Sequence, residues 1–205
     1  MSKLNRDFYN RDTLTVASAL LGKYLVRMTE RGPLVCRISE TEAYIGRMDK
    51  ASHAWGYRKT ARNQVMFGPP GFAYIYLIYG LHSCLNFVTE QEGEPSAVLL
   101  RGGLPRGNLE TLAQNRFGLS VHQLSAYQMA HFLDGPGKLC RALSLSREEN
   151  ATDLTGGTLF VCDRLEDVGL PSHLGDDAPF AVHIGKRIGI DYAEEAADFP
   201  WRFFL

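Results

Sequence analysis

The run Phe72 to Val88, FAYIYLIYGLHSCLNFV, constrains the fold more than any other part of the chain. It is rich in aromatic and β-branched residues and is broken once, at Gly80, so it reads as two strands joined by a tight turn. Side chains alternate across a strand, which puts Tyr74 and Tyr76 on one face and Ile75 and Leu77 on the other. Tyr79 breaks that parity and falls in the turn, while Asn86 is a polar side chain in an otherwise apolar return strand.

Around this hairpin the chain alternates strands and helices without a βαβ rhythm, which favours an α+β fold with a mixed sheet. A helix is predicted over RDTLTVASALLG, with Asp12 or Thr13 as N-cap, Leu14, Ala17, Leu20 and Leu21 inward and Gly22 as the stop. A strand follows at Tyr24 to Met28. In LVCRISETEAY, period two places Leu34, Cys36, Ile38, Glu40, Glu42 and Tyr44 on one face, provided that the strand runs without a bulge. SAVLLRG is a further strand, and helices are expected at 109–116, 121–133 and 138–145. GTLFVCD and FAVHIGKRIGI read as late strands, and FPWRFFL as a strand or packed tail. With 205 residues, 45% of them hydrophobic, residues 1–205 fit one domain with a substantial core.

Cys36, Cys84, Cys140 and Cys162 are scattered, without a CxxC pair, and read as buried free thiols rather than metal ligands. No apolar run is long enough to span a membrane and the first residues are charged, so a cytoplasmic location is expected, or a nuclear one in a eukaryote. The net charge of −1 gives no global attraction to nucleic acid. Yet Lys50 to Thr89 contains no Asp or Glu and includes Lys50, Arg58, Lys59 and Arg62, so the hairpin lies in a locally cationic segment.

Three groups of residues stand out chemically. Glu42, on a face shared with apolar side chains, is either a salt-bridged strand glutamate or a carboxylate whose burial raises its proton affinity enough to activate a water. His53, near Trp55 and Tyr57, is either a satisfied surface histidine or a polar ring beside aromatics. The hairpin tyrosines are either packing or a wall for a flat ligand, since aromatic rings stack planar bases at roughly 1–3 kcal/mol each.

RISETEAYIG, SHAWGYRKTARNQVMFGPPGFAYIYLIYGLHSCLN, AVLLRGGLP and DGPGKLCRALSLS, in that order, closely resemble the alkyladenine DNA glycosylases, also called methylpurine or 3-methyladenine DNA glycosylases. The resemblance spans nearly the whole chain. It implies one mixed α/β domain related to the C-terminal domain of formyltransferases, with a curved antiparallel sheet, a protruding hairpin and flanking helices. It also implies a nucleoid-associated base-excision-repair enzyme that takes damaged purines such as 3-methyladenine, 7-methylguanine and hypoxanthine from double-stranded DNA, and a monomer is the default expectation. The enzyme flips the damaged nucleotide out and hydrolyses its N-glycosidic bond, without cofactor, metal or lyase step.

By that resemblance Glu42, and not Glu40, is the general base. Tyr44 and His53 would lie on one side of the extruded base and Tyr76 on the other, with Asn86 excluding guanine and Ile188 acting through its backbone. Tyr79 would wedge into the duplex. Arg101, Arg58, Arg62 and Lys138 would meet the DNA backbone. The chain departs from the family pattern at His82, at Trp55 and Tyr57, and in the acidic loop EQEGEP. A lyase would need an amine nucleophile beside Glu42, His53 and Tyr76, and no lysine falls there. A non-catalytic lesion binder would have no need of an inward carboxylate at Glu42.

Overall fold

The computed structural model describes residues 3–175 and 179–205. Its centre is a curled antiparallel sheet. The strands are β1 (Tyr24–Arg27), β2 (Leu34–Ile45), β3 (Ala73–Ile78), β4 (His82–Thr89), β5 (Ser96–Gly107), β6 (Leu159–Cys162), β7 (His183–Gly185) and β8 (Arg202–Phe204). Their order is β3-β4-β5-β2-β1-β6, and β8 pairs with both β2 and β7. One edge of β2 is therefore shared. Its first half pairs with β1 and its second half, Glu40 to Glu42, with β8.

The helices are α1 (Arg6–Tyr9), α2 (Thr13–Ala19), α3 (Leu109–Phe117), α4 (Ala126–Ala130) and α5 (Pro136–Ala142). Asp12 caps α2 by accepting from the Thr15 N–H. Val16, Ala17, Leu112, Leu139 and Ala142 bury one sheet face together with Leu34, Cys36, Ile38, Ile75, Leu85, Phe87, Val98 and Leu100. All four cysteines are buried free thiols. No helix among the described residues is long and apolar enough to cross a membrane.

The unbroken alternation expected along β2 is corrected by two opposed bulges. Ile38 faces Gly103, Glu40 faces Gly102 and Thr41 faces Leu100, so Ser39 is extra on β2 and Arg101 is extra on β5. The core face runs Leu34, Cys36, Ile38 and then resumes at Ala43, with the buried Thr41 hydroxyl donating to the Ala17 carbonyl at 2.8 Å. Glu40, Glu42 and Tyr44 consequently point to the other face. The glycine pair of β5 permits the close approach: a Cβ on Gly103 would lie 3.1 Å from the Arg37 carbonyl oxygen.

Three further expectations change. The single helix over 121–133 is two pieces, a 3-10 turn at Val121–Gln123 and α4, because Ser120 with Gln123 and Ser125 with Gln128 form separate capping boxes. The strand over 180–190 shrinks to His183–Gly185, and the residues after it turn inward to the site. Conversely, β5 runs on to Gly107, well beyond SAVLLRG.

Candidate active site

Glu42 lies at the centre of the reversed face of β2, only 1% exposed. Its Oε1 accepts from the Ile188 backbone N–H at 2.9 Å and lies 3.2 Å from Arg101 Nε, and its Oε2 accepts from the Tyr44 hydroxyl at 2.8 Å. Burial raises its pKa, while Ile188, Tyr44 and Arg101 pull against that rise and Glu40 adds to it. The carboxylate is therefore more basic than a surface glutamate. Burial and the neighbouring Glu42 hold the Tyr44 phenol well above its usual range, so it stays a neutral donor.

Next to Glu42, a narrow pocket is lined by Tyr44, His53, Tyr74, Tyr76, Asn86 and Met66, among others. Tyr74 and Tyr76 share a face of β3, as alternation predicts, and pack with Met66, Val88 and Ala97. His53 meets Tyr76 edge-on, with ring centroids 4.5 Å apart, and its Nδ1 lies 2.9 Å from the Tyr74 hydroxyl. The grouping of His53 with Tyr44 is thus corrected: His53 belongs to the Tyr76 wall, and Tyr44 lies against Arg187. Burial, with Arg62 nearby, pushes the His53 pKa down to about 4, so the ring is neutral at neutral pH. Asn86 is pinned, its amide nitrogen donating to the carbonyls of Tyr74 at 3.1 Å and Cys84 at 3.3 Å.

Two groups not singled out in the sequence hold this pocket together. Arg187 and Asp49 form a fully buried ion pair, with Nη2 to Oδ1 at 2.9 Å. Arg187 also donates to the carbonyls of Ala43 and Ala196 and lies 4.7 Å from the Tyr44 ring centroid. Asp49 accepts from the Ala51 N–H and so anchors the loop that carries His53. Asn63, also buried, donates to the carbonyls of His53 and Arg58 at 2.8 Å each. Nothing in the local pattern of Asp49, Asn63 or Arg187 marks these roles, because each partner comes from a distant or irregular segment.

At the hairpin tip Tyr79 is 87% exposed and Leu81, also not singled out, 79%. Tyr79 and Gly80 both have positive φ, 52° and 70°, as the centre of a type I′ turn requires. Arg62 lies against the Tyr76 ring at 5.2 Å and donates to the Leu77 carbonyl, and Arg58 is exposed nearby. Lys138 pairs with Asp134 at 2.6 Å and lines a groove with Tyr79, His82, Arg116 and Arg141. Arg101 is part-buried, with its guanidinium between Glu40 and Glu42. Ile188 is half-exposed and reaches Glu42 through its N–H. No cluster of three or more metal-ligating side chains occurs among the described residues.

The site thus sets a buried carboxylate of raised proton affinity beside an aromatic-lined pocket, with an exposed aromatic residue at the tip of the hairpin. Comparison with known proteins gives the same direction. A family model described as Methylpurine-DNA glycosylase (MPG) matches residues 7–205. A protein of Desulfitobacterium hafniense (strain Y51) is 48% identical over 205 residues, covering 100% of this chain and 96% of its own length. One of Alkaliphilus oremlandii (strain OhILAs) is 45% identical over 203 residues, covering 99% and 95%. Both carry the provisional name 3-methyladenine DNA glycosylase. This chain belongs to the methylpurine-DNA glycosylase family.

Proposed function

We propose that the protein is a monofunctional DNA glycosylase of base-excision repair, which extrudes a damaged purine from duplex DNA and hydrolyses its N-glycosidic bond. The observation that carries this reading is Glu42, a raised-pKa carboxylate enclosed beside the pocket of Tyr44, His53 and Tyr76. A purine seated between Tyr44 and the His53–Tyr76 wall brings its sugar toward Glu42. Glu42 takes a proton from a water whose oxygen bonds to C1′, and the electrons of the breaking C1′–N bond leave with the base. The same carboxylate stabilises positive charge that develops on the sugar.

The walls favour particular bases. His53, being neutral, adds no charge against a cationic ring such as 3-methyladenine or 7-methylguanine, and electron-poor rings stack well on tyrosine. Such bases leave as neutral molecules, so stacking and reactivity select the same substrates. Hypoxanthine is neutral and leaves less readily. Asn86 cannot swing aside, so a base carrying an extra amino group at that wall meets a fixed obstacle. No lysine lines the pocket among the described residues, which leaves a Schiff-base lyase without its amine there.

Tyr79 fills the gap left by the flipped nucleotide and offsets part of the few kcal/mol of unstacking. Arg58, Arg62, Lys138, Arg116 and Arg141 meet backbone phosphates, which lets a chain of net charge −1 hold DNA through one cationic side. All these groups come from one chain, so a monomer suffices, acting on the nucleoid in a bacterial cell.

The test is single-turnover base release from a hypoxanthine duplex and from a methylated duplex. Glu42→Gln should slow release roughly 10²- to 10⁴-fold. Its binding to a duplex with an abasic analogue should stay within a few fold of wild type. Undiminished release by the variant would remove Glu42 from the mechanism. Tight binding without release by the wild type would make the protein a lesion binder.

A further inference from the structure

Glu42 does not have Arg101 to itself. Both oxygens of Glu40 are occupied, Oε1 by Nη1 of Arg202 at 2.9 Å and Oε2 by Nη1 of Arg101 at 3.3 Å. The same Arg101 guanidinium turns its Nε toward Glu42 Oε1 at 3.2 Å. One arginine is divided between two carboxylates two positions apart on one face of β2. The opposed bulges create this arrangement, because Arg101 is the extra residue that faces Glu40 together with Gly102. Gly102 leaves the room for it: a Cβ there would lie 3.2 Å from both Cβ and Oε2 of Glu40.

We propose that Glu40 is a positioning residue of this site, which holds Arg101 through Nη1 so that Glu42 is met by Nε alone and not by a two-pronged guanidinium. The inference rests on reading Glu42 as the base. A carboxylate gripped by two parallel N–H groups of one arginine is a poor proton acceptor, since the pair stabilises its charged form. Dividing the arginine leaves Glu42 enough attraction to fix its geometry while a neighbouring negative charge keeps it basic.

The groups that face Glu42 agree with this division. Arg101 comes from β5, Glu40 and Tyr44 from β2, Cys84 from β4, and the Ile188 N–H from the segment after β7. Arg187 is committed to Asp49 and Arg202 to Glu40, so Arg101 is the cation paired directly with Glu42 among the described residues. Glu40 also reaches the other side of the site. Arg202 Nε donates to the Lys186 carbonyl at 2.9 Å, two residues before the Ile188 N–H that holds Glu42.

The decisive measurement is the titration of the Glu42 carboxylate by carbon-13 NMR in wild type, Glu40→Gln and Arg202→Gln, beside the pH profile of single-turnover base release. In Glu40→Gln, Arg101 is free to grip Glu42 with two nitrogens and the nearby negative charge is gone. Both changes stabilise the carboxylate, so its titration and the acid limb of the rate profile should move down by about one pH unit. Above the limb, release should slow about 10-fold because the base is weaker. Arg202→Gln removes a structural link of the same carboxylate but not its charge, and should not move the titration down. An unmoved titration in Glu40→Gln, or an equal downward move in both variants, would reduce Glu40 to a structural ion pair. The NMR titration reads the inference even if the wild type released no base, an outcome that would sink only the glycosylase reading.

Discussion

The ground around Glu42 and the tip of the β3–β4 hairpin are built in opposite ways. Around Glu42 almost every polar atom has a partner: the carboxylate has three, Glu40 has two arginines, and the Asp49–Arg187 pair has no exposure at all. At the tip, Tyr79 and Leu81 stand largely in solvent, on a turn whose Tyr79 and Gly80 both have positive φ. A proton acceptor needs a set basicity and a set position, so its surroundings are over-determined. A wedge must leave water and enter another molecule, so contacts within its own chain would have to be broken first. Rigid ground and a bare tip are the two kinds of surface that the proposed flipping and hydrolysis would each require.

The buried ground should respond most strongly to substitution. Asp49→Ala leaves Arg187 uncompensated in the interior and should destabilise the fold by about 3–5 kcal/mol, read from urea unfolding. Adding Arg187→Met should recover part of that loss. If Asp49→Ala alone unfolds at the wild-type urea concentration, the buried pair does not hold the site.

The tip should behave in the reverse manner. Tyr79→Ala should leave stability within about 0.5 kcal/mol. Its single-turnover release from a hypoxanthine duplex should nevertheless fall roughly 10- to 100-fold, as expected if the wedge offsets a few kcal/mol of unstacking. A large loss of stability with normal release would show that the tip serves folding and not DNA. The smallest effect is expected in the groove beside it. Arg116→Gln with Arg141→Gln should reduce the slope of log K against log salt for duplex binding by about 1.8, near 0.9 for each lost phosphate contact. An unchanged slope would place the DNA elsewhere.

The hairpin was legible because its signals are local. Alternation put Tyr74 and Tyr76 on one wall, and Gly80 with Tyr79 marked the turn. Capping was local too, although two boxes in succession split a region that reads as one helix. The resemblance supplied Glu42, Tyr44, His53 and Tyr76 as a set, and the structure brings them around one pocket. It did not supply the grouping of His53 with Tyr76, which depends on the path of a loop tied down by Asp49 and Asn63.

Local pattern carries the inventory: most of the strands, the turn, the shared tyrosine face and the family. Where the charges point is settled by long-range pairing. Side-chain parity is a property of one strand, but a bulge is a property of two, and the pairing of β2 with β5 turned Glu42 away from the main core and set Arg101 between Glu40 and Glu42. Arg187 meets Asp49 across 138 positions of chain, a distance that no periodicity spans. The basicity of Glu42 depends on contacts also far apart in the chain, with Arg101 of β5 and with the Ile188 N–H 146 positions away.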